Sequence, residues 1–295
     1  MALRNTVICG NAAAMDALPD ASVDLIFTSP PYESRKRYGD DASGDLGRLQ
    51  GDAFLGALEP VLRECYRVLA PTGNLFINFQ GQYIDRRMSL VQVKIPVMAV
   101  ERVGFEYVQD FHWTKTNARP DNYARRLRNR NEVIYHLVKD IDQYQVNKDA
   151  VRVPHRHGGR GRKCELCNSL VPGKADRRAH KYNPLGADPG NVVFMPTSTG
   201  QGSRDTSRRD GAPVLFVHPG LMPGRLAEFF VRYGSPESGL VLDPFMGSGT
   251  TGVAAAALGR DYIGYDVYPE YVEQAIARCA AVAGTEPPLQ LELSF

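Results

Sequence analysis

Two successive prolines end an apolar strand at Thr28-Ser29-Pro30-Pro31-Tyr32, and this stretch constrains everything the surrounding chain can become. The run before it, Val23-Asp24-Leu25-Ile26-Phe27-Thr28, is short, apolar and β-branched enough to be a buried parallel strand. Pro30 and Pro31 fix φ, remove two backbone donors and push the residue before each toward an extended conformation, so the strand must stop here. The carbonyls of Ser29 and Pro30 are then left without a helical or sheet partner, beside a hydroxyl and an aromatic face. That set of acceptors suits an exocyclic amino group on a flat ring. The same residues, taken alone, also fit an ordinary Pro-Pro turn with a packing tyrosine.

At 295 residues the chain can bury a full core and hold one large or two modest domains. No apolar run approaches the length needed to span a bilayer and no signal-peptide pattern is present, so a cytoplasmic location is expected. Its 5 cysteines are scattered apart from one pair, which is not a secreted disulfide framework. The formal net charge of +2 hides an uneven distribution, with 12 Lys and Arg against 4 Asp and Glu between Arg152 and Arg209. Such asymmetry suggests a polyanionic partner, a solvated charged loop being the alternative.

Along the chain, Thr6 to Cys9 is a strand running into Gly10-Asn11-Ala12, and a helix-like stretch before Val23 would make a βαβ opening. Arg35-Lys36-Arg37 begins a polar Gly/Asp-rich segment that reaches about Gly51 and reads as a lid or phosphate-contacting loop. Helical spacing marks Asp52 to Leu69 and Leu90 to Arg102, with strands expected over Asn74 to Phe79, Phe105 to Thr114 and Glu132 to Val138. The last two would form an edge hairpin around a basic connection. Residues 140–212 lose periodicity and read as an inserted basic module between a first part, 1–139, and a second part, 213–295. Order returns with a helix from Gly224 to Tyr233 and the strand Leu240 to Leu242. Asp243-Pro244-Phe245-Met246-Gly247-Ser248-Gly249-Thr250-Thr251 follows, then a helix from Gly252 to Leu258, the strand Tyr262 to Tyr265 and a closing helix from Pro269.

A strand running into Gly-x-Gly and a small-residue helix lets backbone approach a ligand closely. Asp266, at the end of the following strand, can accept both hydroxyls of a ribose. A third glycine of the dinucleotide fingerprint and a phosphate-loop lysine are both missing, so a nucleoside without phosphates fits better.

Together, the Ser29-to-Tyr32 and Asp243-to-Thr251 motifs resemble those of the S-adenosylmethionine-dependent DNA amino methyltransferases, in the motif order of the β group. Smaller matches are Gly73 to Phe79, His112-Trp113-Thr114-Lys115, Asn131-Glu132-Val133 and His218-Pro219. The resemblance implies an α/β, Rossmann-like fold: a seven-stranded, mostly parallel sheet with an antiparallel edge hairpin, its motif order circularly permuted, and an inserted target-recognition module. The first strand would then lie beyond the last, beside the cofactor's adenine.

By the same resemblance, S-adenosyl-L-methionine would contact Asn11, Ala12, Thr28, Asp243, Phe245, Gly247, Gly249, Thr250, Thr251 and Asp266. Asn11 stands where the family often has aspartate, so any contact to the adenine amino group loses charge assistance. The catalytic set would be Ser29 and Pro30 as amine acceptors, Pro31 as rigid support and Tyr32 as the stacking face. The substrate would be a base flipped from double-stranded DNA, methylated directly without a covalent intermediate. Serine before Pro-Pro-Tyr favours N4 of cytosine; adenine N6 is the alternative, and an inactive DNA-binding regulator on the same scaffold is a more distant one. Arg35, Lys36, Arg37, Arg156, Arg160, Arg162 and Lys163 would contact DNA. A homodimer and a cognate restriction endonuclease stay open as partners. Cys164 and Cys167, with His155 and His157 upstream and His180 downstream, have the ligand types for a structural zinc, or are two reduced thiols in a polar loop.

Overall fold

The computed structural model describes residues 3–33, 45–118, 124–154, 183–197 and 222–284. Its strands are β1 (Thr6–Cys9), β2 (Val23–Thr28), β3 (Leu69–Phe79), β4 (Tyr83–Ile84), β5 (Arg87–Met88), β6 (Glu106–Lys115), β7 (Asn131–Val138), β8 (Val192–Met195), β9 (Leu240–Asp243) and β10 (Asp261–Asp266). The α-helices are α1 (Gly51–Val68), α2 (Val91–Met98), α3 (Gly224–Gly234), α4 (Thr250–Ala257) and α5 (Pro269–Ala283), with a π-helical turn, Ala99–Val103, extending α2. Among these helices none is long and apolar enough to cross a membrane.

Eight strands form the central sheet in the order β1, β10, β9, β2, β3, β7, β6, β8, while β4 and β5 make a separate hairpin. From β1 through β3 every pairing is parallel, β7 is antiparallel to both β3 and β6, and β8 runs parallel to β6. The strands of the parallel half are buried on both faces, which is why they read as near-continuous apolar runs. On one face α1 and α2 cover Ile26, Leu75, Leu242 and Ile263; on the other α3, α4 and α5 cover Leu25, Phe27, Phe76 and Val241. Val23 packs on the same face as Ile26 because the ladder slips between Val23 and Leu25. Phe76 lies under Phe230 with ring centroids 4.8 Å apart and stacks on His136 at 4.3 Å. Truncating so enclosed a ring costs about 3–5 kcal/mol.

Three expectations change. The sheet has one strand more than the seven expected, because Val192–Met195, inside the stretch read as irregular, adds to β6. The antiparallel pair β6 and β7 therefore does not end the sheet. No helix joins β1 to β2; that connection is a series of turns tied to α1, with the Met15 N–H donating to Glu64 Oε2 at 2.7 Å and Arg67 donating to the Leu18 carbonyl at 2.9 Å. The apolar side chains of Met15 and Leu18 are buried as a helix face would be, which is what the spacing reported. As expected from the permuted order, β1 lies at the sheet edge against β10, with Thr6 opposite Ile263.

Strands β2 and β9 are neighbours whose connections leave in opposite directions, α1 leading from β2 to β3 and α4 from β9 to β10. That reversal opens a crevice at their carboxyl ends, where open α/β sheets take ligands.

Candidate active site

Both motif loops leave the sheet at this crevice. The Thr28 hydroxyl, at the end of β2, donates to Asp243 Oδ1 at 2.6 Å, and the Thr251 hydroxyl, in the first turn of α4, donates to Asp243 Oδ2 at 2.7 Å. A third donor, the Phe245 N–H, reaches Oδ1 at 3.0 Å. Burial holds the carboxyl pKa of Asp243 above its ordinary value, and these three donors offset only part of that rise. One carboxylate thus ties the Pro-Pro-Tyr strand to the glycine loop. Thr250 is buried beside it, at the start of α4.

The glycine loop needs its glycines for two different reasons. Gly247 and Gly249 take φ of 50° and 86°, conformations that cost an L side chain strain. A Cβ on Gly249 would also lie 2.9 Å from Ala275 of α5, so side chains are barred by contact as well. The Gly247 N–H donates to Asp266 Oδ2 at 2.8 Å and the Tyr268 N–H to Oδ1 at 3.0 Å. Burial pushes the Asp266 carboxyl up to about 6 despite these two donors. Each oxygen takes a single backbone donor and keeps acceptor capacity, so a vicinal diol fits this carboxylate. Asn11 is exposed on the turn after β1, its Oδ1 accepting from the Ala13 N–H at 2.9 Å, and Ala12 is buried behind it. Phe245 is half-buried against the α1 side of the core.

On the other side of β2, the Ser29-to-Tyr32 loop rests on β3 and β7. The Tyr32 hydroxyl donates to Glu132 Oε2 at 2.5 Å, and its ring meets Phe79 edge-on at 5.1 Å. Asn78, buried at the end of β3, directs Nδ2 to Glu132 Oε2 at 2.7 Å, to the Tyr32 oxygen at 3.3 Å and to Ser29 Oγ at 3.4 Å. Lys115 closes the group with an ion pair to Glu132 Oε1 at 2.6 Å. Ser29 and Pro31 are half-buried and Pro30 is buried. No donor among the described residues reaches the Ser29 or Pro30 carbonyl. Glu33, fully buried, secures the end of the loop by accepting from the Gly51 N–H at the start of α1.

Glu132, Asn78 and Lys115 were not singled out as site residues from sequence. All three lie in short stretches that match the family, but a lysine ending a strand and a glutamate opening one read as solvent-facing positions. Only the pairing of β7 with β3 and β6 brings them beneath Tyr32. The DNA-contact candidates Arg35, Lys36, Arg37, Arg156, Arg160, Arg162 and Lys163 lie outside the described residues. So do the zinc candidates His155, His157, Cys164, Cys167 and His180, and His218-Pro219; among the described residues no cluster could hold a metal ion.

The family model described as DNA methylase, of the N6/N4 type, matches residues 23–277. The type II methyltransferase M.HpaI of Haemophilus parainfluenzae is 29% identical over 276 residues, spanning 92% of this chain and 73% of its own. M.ScaI of Streptomyces caespitosus is 26% identical, with 91% and 79% covered, and the DNA adenine methyltransferase YhdJ of Escherichia coli K12 is 28% identical, with 92% and 82% covered. In fold, the chain is similar to the cytosine-N4-specific PvuII DNA methyltransferase, with a TM-score of 0.68 at 20% identity and 92% and 85% coverage. It is also similar in fold to a putative DNA modification methylase from Thermus thermophilus complexed with S-adenosyl-L-methionine, with a TM-score of 0.63 at 24% identity and 97% and 99% coverage. With a match spanning both motif loops and the sheet between them, the chain belongs to the N6/N4 DNA methylase family.

Proposed function

We propose that this protein methylates the exocyclic N4 of a cytosine flipped out of double-stranded DNA, using S-adenosyl-L-methionine. The observation that carries the reading is the pair of loops joined through Asp243, one carrying the Ser29 and Pro30 carbonyls that no donor among the described residues reaches, the other donating through Gly247 to the acceptor Asp266 at the end of β10. When bound, the cofactor supplies an electrophilic methyl group. Asp266 would hold its ribose hydroxyls, the backbone at Gly247 and Gly249 would admit it closely, and Asn11 would face its adenine. Ser29 Oγ and the Pro30 carbonyl accept the hydrogens of the target amine, which localises the nitrogen lone pair, and Tyr32 stacks on the base.

Further support for a DNA substrate comes from arginines at the mouth of the loop between β6 and β7. Arg125 and Arg130 are exposed there, and the Arg126 guanidinium lies 3.8 Å from the centroid of the Tyr83 ring. That contact joins the loop to the β4 and β5 hairpin, which carries the exposed Arg86 and Arg87. This basic edge borders Lys115 and Glu132 and suits backbone phosphates flanking a flipped base.

Serine before Pro-Pro-Tyr favours cytosine; the 28% identity to a DNA adenine methyltransferase favours the second reading, adenine N6. Methylating unmodified bacterial DNA with labelled cofactor, digesting it to nucleosides and separating N4-methyldeoxycytidine from N6-methyldeoxyadenosine by mass distinguishes the two. Label in neither nucleoside, with DNA binding retained, would instead support a regulator.

A further inference from the structure

We propose that Glu132 is a positioning residue for methyl transfer: neutralised by Lys115, it fixes Tyr32 directly and Ser29 through Asn78. The proposal rests on the reading of the Ser29-to-Tyr32 loop as the place where the target base is held.

The argument begins with an expensive arrangement. The side chains of Glu132 and Lys115 are 6% and 13% exposed, and they pair at 2.6 Å. A buried ion pair returns little stability against apolar side chains of the same size, because its attraction must first offset the desolvation of two charges. Something other than stability is therefore a reason for it to stand at this spot. The second carboxylate oxygen supplies that reason, since it accepts from Tyr32 at 2.5 Å and from Asn78 at 2.7 Å, both in the loop and strand that shape the crevice.

The geometry leaves Tyr32 little freedom. Its hydroxyl is held by Glu132, its oxygen takes the Asn78 amide at 3.3 Å, and its ring abuts Phe79, which in turn packs on Phe54. A ring fixed at both ends presents one orientation to a stacked base. Asn78 extends the constraint by reaching Ser29 Oγ at 3.4 Å. Its amide cannot be turned over, because that would set its oxygen against the Glu132 carboxylate. In the orientation seen, Asn78 Oδ1 is buried without a donor. The amide is thus set so that its nitrogen, the donor, faces the loop. Lys115 lets Glu132 act in this way without leaving an uncompensated charge beside a neutral amine.

The test removes the ion pair whole. In the variant Lys115→Met with Glu132→Leu, two charges are replaced by apolar side chains of similar volume, so cofactor binding is expected to stay near that of the unmodified protein, while the thermal midpoint falls moderately because the Tyr32 hydroxyl and the Asn78 amide lose their shared acceptor. Methyl incorporation into duplex DNA is expected to fall in kcat on the order of tenfold to a hundredfold, with the KM for cofactor unchanged. Tyr32→Phe is expected to lower kcat in the unmodified protein and to cost nothing further in the paired variant. If the paired variant turns over normally, or if Tyr32→Phe costs the same in both backgrounds, the proposal is wrong. Should the paired variant fail to fold, Glu132→Gln decides: with one acceptor oxygen in place of two it cannot serve Lys115 and the Tyr32–Asn78 pair together, so kcat is expected to fall while the Tyr32→Phe loss shrinks, and an undiminished Tyr32→Phe loss overturns the proposal. Full activity in both Ser29→Ala and Tyr32→Ala would instead sink the reading of the loop itself.

Discussion

Two buried carboxylates flank the end of β2, and the protein treats them in opposite ways. Asp243, on the glycine-loop side, takes two hydroxyls and a backbone N–H and meets no cation among the described residues; Glu132, on the strand β7 side, is matched by Lys115. Asp266, further along the same side as Asp243, likewise takes only backbone donors. Among the described residues, one side of the crevice therefore carries carboxylates without a matching cation and the other a matched pair. A sulfonium is a cation and the amine of a base is neutral, so the asymmetry matches the two ligands the crevice would bring together. Neutral donors hold a carboxylate in place without cancelling its charge, and a lysine does both.

Breaking the joint at Asp243 has the largest expected effect. In Asp243→Ala, Thr28 and Thr251 lose their common acceptor at a buried position, which costs about 1–3 kcal/mol for each unsatisfied group, and cofactor binding measured by calorimetry is expected to disappear together with methylation. Asp243→Asn keeps acceptor capacity without the desolvated charge, so it is expected to unfold near the unmodified temperature and yet bind a cationic cofactor more weakly. Equal binding by Asp243→Asn would dissolve the electrostatic half of the comparison.

Ser29→Ala comes next. On the balanced side it removes one amine acceptor and no charge, and kcat is expected to fall by about 10²-fold, as for loss of a preorganised hydrogen-bonding group, with cofactor affinity intact.

The pH dependence of cofactor binding separates the sides more finely. Over the window from 3.8 to about 6, folded Asp266 holds a proton that the unfolded chain has released. Its contribution to the stability of the free protein therefore falls as pH rises through that window and is level above it. A diol needs the ionised form, so cofactor affinity is expected to weaken by up to about tenfold for each pH unit below 6. Calorimetry on either side of that pH checks it; Asp266→Asn is expected to bind weakly with a flat profile. The smallest effect belongs to the basic edge. Arg125→Ala or Arg130→Ala is expected to weaken DNA binding equally across sequences and to lower the salt slope by about 1 per arginine.

Much of this arrangement was legible in the sequence because backbone chemistry announces itself locally. Two prolines end β2 wherever they occur, and Gly247 and Gly249 mark a turn that other residues would strain. Patterns that depend on distant partners were not legible. Met15 and Leu18 have helical spacing but are buried by turns that Glu64 and Arg67 of α1 tie down. Val192 to Met195 is a four-residue apolar island in a polar stretch, too short to carry a period, and it becomes a strand only because β6 offers an edge. Glu132 looks solvent-facing until β3 and β6 close over it.

The placement of β1 against β10 has a consequence for how the chain is made. Asn5 and its partner Asp261 are 256 residues apart, so β1 stays without its neighbour until the chain has been made through β10. So late a contact closes the longest loop in the sheet, and its entropy must be met before the pairing rewards it. A nascent chain halted before Asp261 would carry the Pro-Pro-Tyr loop without the strand that ends in Asp266. Such a chain would hold the loop proposed for the base but lack the carboxylate proposed for the cofactor's ribose.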